Sequence, residues 1–380
     1  MRPSLSVLLL CVAATVLGGC VMGSAGHNTD LLIDPQTAHE IGFAVGWTRD
    51  LGVAKDRSIS SIKLLDDLIV VVVEPGNLVT AISVRNGQNL WHKIVGIDSE
   101  HLYAPVRSGE RLYINSDSRM YRLDARSGRI ESFVPLHQAV GTGPKLVNNL
   151  AIFGSLTGKV FAQNLDSGAI RWDYKLPAKF NTPPIQVGSN VFAADSSGRY
   201  AMLTADRGEL LWAGRTFGGV SDAPAVDHSS IYLASADRAM YALNLNNGLD
   251  KWPPHRASQA LTTGPRTMGR IVFLTVPGEG TEAIDAIDGQ FRWRLPVEAH
   301  PLSMNADQIL MASTASLLNV EHTSGRVSYR APTALLSTVL NGPDNSIILV
   351  SPRGQLTRLN STRLDLPKPD ARAAANATTP

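Results

Sequence analysis

Gly87-Gln88-Asn89-Leu90-Trp91 is a turn glycine followed four residues later by tryptophan. The same offset recurs as Gly168…Trp172, Gly208…Trp212, Gly248…Trp252 and Gly289…Trp293. Gly128 and Gly325 carry the turn with a substituted aromatic, Phe133 one place late and Tyr329. Successive glycines lie 41, 40, 40, 40, 41 and 36 residues apart. A second mark keeps step, with Pro105, Pro144, Pro184, Pro224, Pro265 and Pro301 each opening a new unit. A period of about 40 residues with four short strands per unit predicts an all-β, bladed propeller.

One unit shows the grammar. Ala223-Pro224-Ala225-Val226 reads as a short first strand, where proline is tolerated because no ladder N–H is needed at its start. Ile231 to Ala234 is an apolar second strand, and Met240 to Leu245 alternates as a third. Asn246-Asn247-Gly248 supplies the hairpin turn, glycine accepting the positive φ that such turns need. Leu249 to Trp252 is expected to begin an outer strand. Leu78–Val84, Met120–Asp124, Val160–Leu165 and Ala201–Ala205 are third strands by the same reading. Helical periodicity is almost absent from the body of the chain. The tryptophans (Trp91, Trp172, Trp212, Trp252 and Trp293) are expected to wedge between neighbouring blades.

Trp47 decides the closure. Residues 44 to 51 look like an outer strand without three strands before it, whereas 334–340, 347–350 and 356–359 look like three strands without an outer one. Pairing the two ends removes both open edges. Seven complete units and one shared unit predict an eight-bladed propeller over residues 44–364, its four-stranded antiparallel blades closed by the N-terminal strand.

The ends read differently. Arg2, the apolar run Val7 to Leu17 and Leu17-Gly18-Gly19-Cys20 make residues 1–20 a lipoprotein signal peptide, cut before a lipidated Cys20. An ordinary signal peptide with a chance cysteine is the alternative. Cys11 and Cys20 are the only cysteines, so cleavage leaves no disulfide possible within the mature chain. Acyl chains contribute about 0.8 kcal/mol per buried methylene and would hold the protein on a bilayer. Val21 is not the aspartate that retains many such proteins at the inner membrane, so the expected location is the outer membrane, facing the periplasm. Residues 21–43 read as a tether, with Asp34-Pro35 starting a possible short helix over 36–41. Residues 365–380, rich in Pro, Ala, Asn and Thr, read as disordered. Removing Arg2 with the signal leaves 34 basic against 33 acidic residues, a balance that offers no field for nucleic acid.

A search for chemistry finds little. Phosphate-loop, zinc-protease and nucleophile-elbow motifs are absent from the sequence. His92, His137, His228, His255, His300 and His322 are scattered singly, mostly in loops. Asp124, Asp166, Asp206 and Asp285 precede the turn glycines and are expected to cap those turns. No catalytic residue, metal ligand or cofactor is expected.

The segments Leu165-Asp166-Ser167-Gly168-Ala169-Ile170-Arg171-Trp172 and 243–252 resemble the Ala-x-Asp-x-x-Thr-Gly-x-x-x-Trp repeat of the PQQ-like propeller family. That family includes quinoprotein dehydrogenases and non-catalytic lipoproteins, so the likeness speaks to fold before function. The dehydrogenases imply a catalytic aspartate, calcium ligands, often adjacent cysteines, and insertions that roof a cofactor. This chain has no cysteine in the propeller and no such insertion. The lipidated cysteine, short tether and bare ring look like the BamB family of outer-membrane β-barrel assembly lipoproteins, and Gly198-Arg199-Tyr200-Ala201-Met202-Leu203 is similar to that family's fourth blade.

The resemblance implies a non-catalytic scaffold that docks on a membrane-embedded barrel and presents unfolded outer-membrane proteins, with extended peptides held by β-augmentation. The family's contact loop carries Leu-x-Leu-Arg, with acids in the next loop. Here the loop reads Leu176-Pro177-Ala178-Lys179-Phe180, and Asp222 is the only acid of the next. The candidate partner-binding residues are therefore Lys175, Leu176, Lys179, Arg199 and Asp222. Lys93, Lys175, Lys179, Arg215, His255, Arg256 and Arg294 fall in or beside the loops joining blades, either as a solubilising rim or as a basic face for an acidic protein or lipid head groups. A PQQ- and calcium-dependent dehydrogenase and an envelope sensor or adhesion propeller stand as alternatives.

Overall fold

The second and third strands of these units are apolar on both faces. Leu68 to Val73 and Ile271 to Val276 are buried throughout. Such a sheet needs a neighbour on each side. A ring of sheets meets that need without leaving an end blade.

The computed structural model describes residues 31–362. It contains eight four-stranded antiparallel sheets. In chain order, seven blades occupy residues 58–94, 106–135, 145–175, 185–215, 225–256, 266–295 and 300–332. The eighth joins 338–361 to the strand Phe43–Asp50. Phe43 pairs with Ser361, Trp47 with Arg358 and Asp50 with Gln355. Eight apolar clusters lie between neighbouring blades and complete the circle. Ile69 of blade one, for example, meets Ile348 of blade eight.

The glycine–tryptophan offset has a direct physical cause. Each tryptophan of an outer strand lies on the turn glycine of the following blade. A Cβ on Gly208 would stand 2.5 Å from the Trp172 ring, and one on Gly248 2.4 Å from Trp212. These glycines also sit at φ 69° and 70°, a region closed to most side chains. The indole N–H then donates to the carbonyl three residues before the glycine. Trp47 reaches Val84 at 2.9 Å, Trp91 reaches Ala125 at 2.9 Å, Trp172 reaches Ala205 at 3.0 Å, Trp212 reaches Leu245 at 3.0 Å and Trp293 reaches His322 at 2.9 Å.

Trp252 breaks the series. It packs on Gly289, but its buried indole nitrogen has no hydrogen-bond partner. The carbonyl it should meet, on Ala286, instead accepts from the Tyr232 hydroxyl at 3.3 Å and the Lys251 ammonium at 3.4 Å. The outer strand expected from Leu249 to Trp252 is also displaced. Pro253 and Pro254 supply no ladder N–H, and the strand is only His255–Arg256. We predict that Trp172→Phe lowers stability by about 1 kcal/mol more than Trp252→Phe, since only the first loses an indole bond. Equal shifts of the urea midpoint would contradict this.

Four sequence expectations need correction. Phe133 does not wedge between blades. It is 57% exposed with the Arg119 guanidinium 5.7 Å from its ring centroid, and Val134 and Gln163 lie against Gly168 instead. Tyr329 finds no turn glycine, because the third and fourth strands of blade eight come from opposite ends of the chain. Its hydroxyl donates to the Glu40 carboxylate instead. Turn capping belongs to the residue four before the glycine. Asp124 accepts from Ser127 N–H at 2.8 Å and Asp285 from Ile287 N–H at 2.8 Å. Asp166 bonds Asn149, and Asp206 pairs with Arg207. Lastly, the chain is docked well before residue 43. Leu32 and Ile33 are buried with Ala38 of the helix Pro35–Glu40 between blades seven and eight, and Asp34 caps that helix by accepting from Thr37 N–H at 2.9 Å. The expected signal peptide, Cys20, the first part of the expected tether and the segment 365–380 lie outside the described residues.

Candidate partner-binding surface

Antiparallel order places the glycine turns at one end of blades one to seven. The joining loops, with the turns between second and third strands, lie at the other. The cations expected on that joining face divide into two sectors.

In blades five and six the charge is spent internally. Glu282 is 3% exposed; His255 Nε2 lies 2.8 Å from its carboxylate, and Arg294 Nε donates to it at 3.2 Å. Arg294 also pairs with Glu279 at 2.8 Å. Burial alone would raise the Glu282 carboxyl. The hydrogen bonds from His255 and Arg294 outweigh that and hold it below its usual value. Arg256 turns back onto the Asp237 carbonyl at 3.4 Å.

Blades three and four keep their charge at the surface. Lys159 pairs across the strands with Lys175, and Arg199 pairs likewise with Arg215. The corresponding pairs are Leu78–Ile94 in blade one, Arg119–Pro135 in blade two and Ser316–Pro332 in blade seven. Like charges directly opposite are destabilising, so fold stability does not account for two such pairs side by side. Lys159 is offset by Asp173 at 3.0 Å, and the Lys175 ammonium donates to the Thr157 carbonyl. Lys179, Arg199 and Arg215 are exposed, and among the described residues no acid is paired with them.

The loop between these blades is held at both ends. Leu176 is 6% exposed and Phe180 fully buried, so Pro177 to Lys179 are displayed between two anchors. This corrects the reading of Leu176 as a contact residue; its side chain fills the core between blades three and four. Asp195 ties the loop to blade four. Fully buried, it accepts from Ala178 N–H at 2.9 Å, from Ser197 N–H at 2.9 Å and from Arg199 N–H at 3.0 Å. One carboxylate therefore positions both Lys179 and Arg199. Asp222 does not join them. It accepts from Ala223 N–H and Gly264 N–H, each at 2.7 Å.

Two apolar side chains border the cations, and sequence reasoning passed over both. Phe217, in the loop from blade four to blade five, is 76% exposed. Its backbone N–H donates to Asp237 at 3.2 Å, and the Arg215 guanidinium lies 5.8 Å from its ring. Leu156, in the neighbouring turn of blade three, is 46% exposed. The one signal for Phe217 in the sequence is an aromatic residue between Thr216 and Gly218-Gly219 in a joining loop. Among the described residues, no group of three or more His, Cys, Asp or Glu side chains could hold a metal ion.

Eight four-stranded blades, six of them locked to the next by a tryptophan on its turn glycine and the ring closed by pairing of the chain ends, define a PQQ-like repeat propeller. The family model described as outer membrane protein assembly factor BamB matches residues 44–187, 116–213 and 181–362, and the chain belongs to that family. It is 23% identical over 314 residues to the outer membrane protein assembly factor BamB of Moranella endobia, covering 73% of this chain and 80% of that one. It is 24% identical over 241 residues to the quinoprotein alcohol dehydrogenase PedH of Pseudomonas putida, but spans only 37% of that enzyme's length. The crystal structure of BamB from Moraxella catarrhalis superposes with a TM-score of 0.67 at 16% identity, covering 84% of this chain and 97% of the other.

Proposed function

We propose that this chain is a non-catalytic scaffold of outer-membrane β-barrel assembly. Lipid on Cys20 anchors it to the periplasmic face of the outer membrane, and the loops of blades three and four hold a protein partner. The observation that carries this reading is the sector of Lys179, Arg199 and Arg215 around exposed Phe217, fixed by the buried Asp195. A cationic rim with an aromatic anchor suits an acidic protein surface. Loops on a rigid frame meet such a surface without an ordering penalty. Membership of the BamB family supports the process, and the match to BamB of Moranella endobia over most of both chains supports it further.

The test is depletion and rescue. Cells lacking the chain are expected to contain fewer folded, heat-modifiable outer-membrane barrels. The wild-type gene is expected to restore them and Cys20→Ser to fail, since one substitution removes the thiol that carries the anchor. Full rescue by Cys20→Ser would sink the anchored-scaffold reading.

A further inference from the structure

The described chain enters the propeller on the joining face. The Leu32 carbonyl accepts from Ala334 N–H at 2.7 Å, in the loop that links blade seven to blade eight. Leu336 N–H of the same loop donates to the Thr314 carbonyl at 2.7 Å, in the turn between the second and third strands of blade seven. Leu32 and Leu336 are buried between these blades, while their neighbours Leu31 and Leu335 stay at the surface, 45% and 62% exposed. The scaffold reading gives these two side chains no role. Leu31 stands eleven residues after Cys20, so even a fully extended chain holds it within about 40 Å of an anchor there. The adjoining surface mixes charges. Leu51 N–H donates to the Gly354 carbonyl at 3.0 Å, which lays the loop carrying Lys55 and Asp56 against the turn carrying Arg353. These three side chains and Asp34 are all exposed.

We propose that the joining-face edge of blades seven and eight rests on the phospholipid bilayer, with Leu31 and Leu335 among the head groups. The inference rests on the reading of Cys20 as the anchor. Two leucines bury too little apolar surface to hold a free protein on a membrane. For an anchored chain the contact is intramolecular, and a short link raises the effective concentration to the order of millimolar, so a weak contact becomes populated. The mixed charge suits zwitterionic head groups, whose phosphate meets Lys55 and Arg353 and whose ammonium meets Asp34 and Asp56. An orientation follows. The boundary of blades three and four lies on the same face, halfway round the ring from that of blades seven and eight. Contact at the one edge therefore turns Lys179 and Phe217 toward the membrane side, where a membrane-embedded partner is met.

The test places a single environment-sensitive fluorophore on the chain bound to phosphatidylcholine vesicles that contain nitroxide-labelled lipid. The propeller has no cysteine of its own, so Leu335→Cys and Thr314→Cys each report one place, with Ser127→Cys on the glycine-turn face as the control. Labels at 335 and 314 are expected to shift to the blue and to be quenched about twofold or more, and the label at 127 to be unaffected. Leu31→Glu with Leu335→Glu, both at exposed positions, should remove the quenching at 314 and leave Tm unchanged. Attachment is made in two ways: by the natural acyl chains, and in Cys20→Ser by a histidine tag ahead of residue 21 on a nickel-chelating lipid. Quenching at 335 in the nickel-held chain, where the natural chain does not attach, would defeat the anchor and support the bilayer contact. No quenching at 335 in an attached chain, equal quenching at 335 and 127, or quenching at 314 that survives the double glutamate change overturns the proposal.

Discussion

Deleting the chain through Asp50 is expected to abolish the single cooperative unfolding transition and to drive the protein into aggregates on size exclusion. The deletion removes the outer strand of blade eight, so Gln355–Ser361 becomes a bare edge. It also takes Trp47 away from Gly87 and from the Val84 carbonyl. Leu32, Ile33, Ala38 and Phe43 leave the cluster between blades seven and eight. Losing one large buried aromatic costs about 3–5 kcal/mol, and losing several buried side chains together rivals the whole stability of a domain, about 5–15 kcal/mol. Moving residues 31–50 to the C-terminus through a flexible linker should restore the transition, because closure depends on the strand and not on its place in the chain. A monomeric deletion variant with an unchanged Tm would refute the closure.

Much of this architecture was legible from residues. The glycine–tryptophan offset reports a contact between blades, and a contact repeated around a ring must repeat in the sequence. Trp47 marked the shared blade for the same reason. What stayed hidden depends on partners that spacing does not encode. Phe133 stands one place off the lock, and alternation in a strand turns one place into the opposite face. Trp252 keeps the spacing, but Tyr232 and Lys251 occupy its acceptor. On the candidate surface, Lys179 and Arg199 could be read as exposed loop cations. That Leu176 is an anchor, and that Glu282 consumes His255 and Arg294, follows only from the fold.

Reversing the charge of Lys179, Arg199 and Arg215 together should weaken partner capture by about tenfold or more while leaving Tm nearly unchanged. Three charges of a rim act mainly on encounter, and reversing them turns attraction for an acidic surface into repulsion. Stability should survive because Arg199 and Arg215 face each other across the strands. Changing both to glutamate replaces one like-charged pair with another. Lys175 is left in place, since its ammonium already holds the Thr157 carbonyl.

The most direct measurement is photo-crosslinking in living cells from a benzoylphenylalanine placed at Phe217, with Ser127 on the glycine-turn face as the control position. The account predicts an adduct with a component of the outer-membrane barrel-assembly machinery from position 217. That adduct should disappear in the triple charge reversal and be absent from position 127. An adduct of equal yield from position 127, or one from position 217 that persists after the reversal, would contradict it.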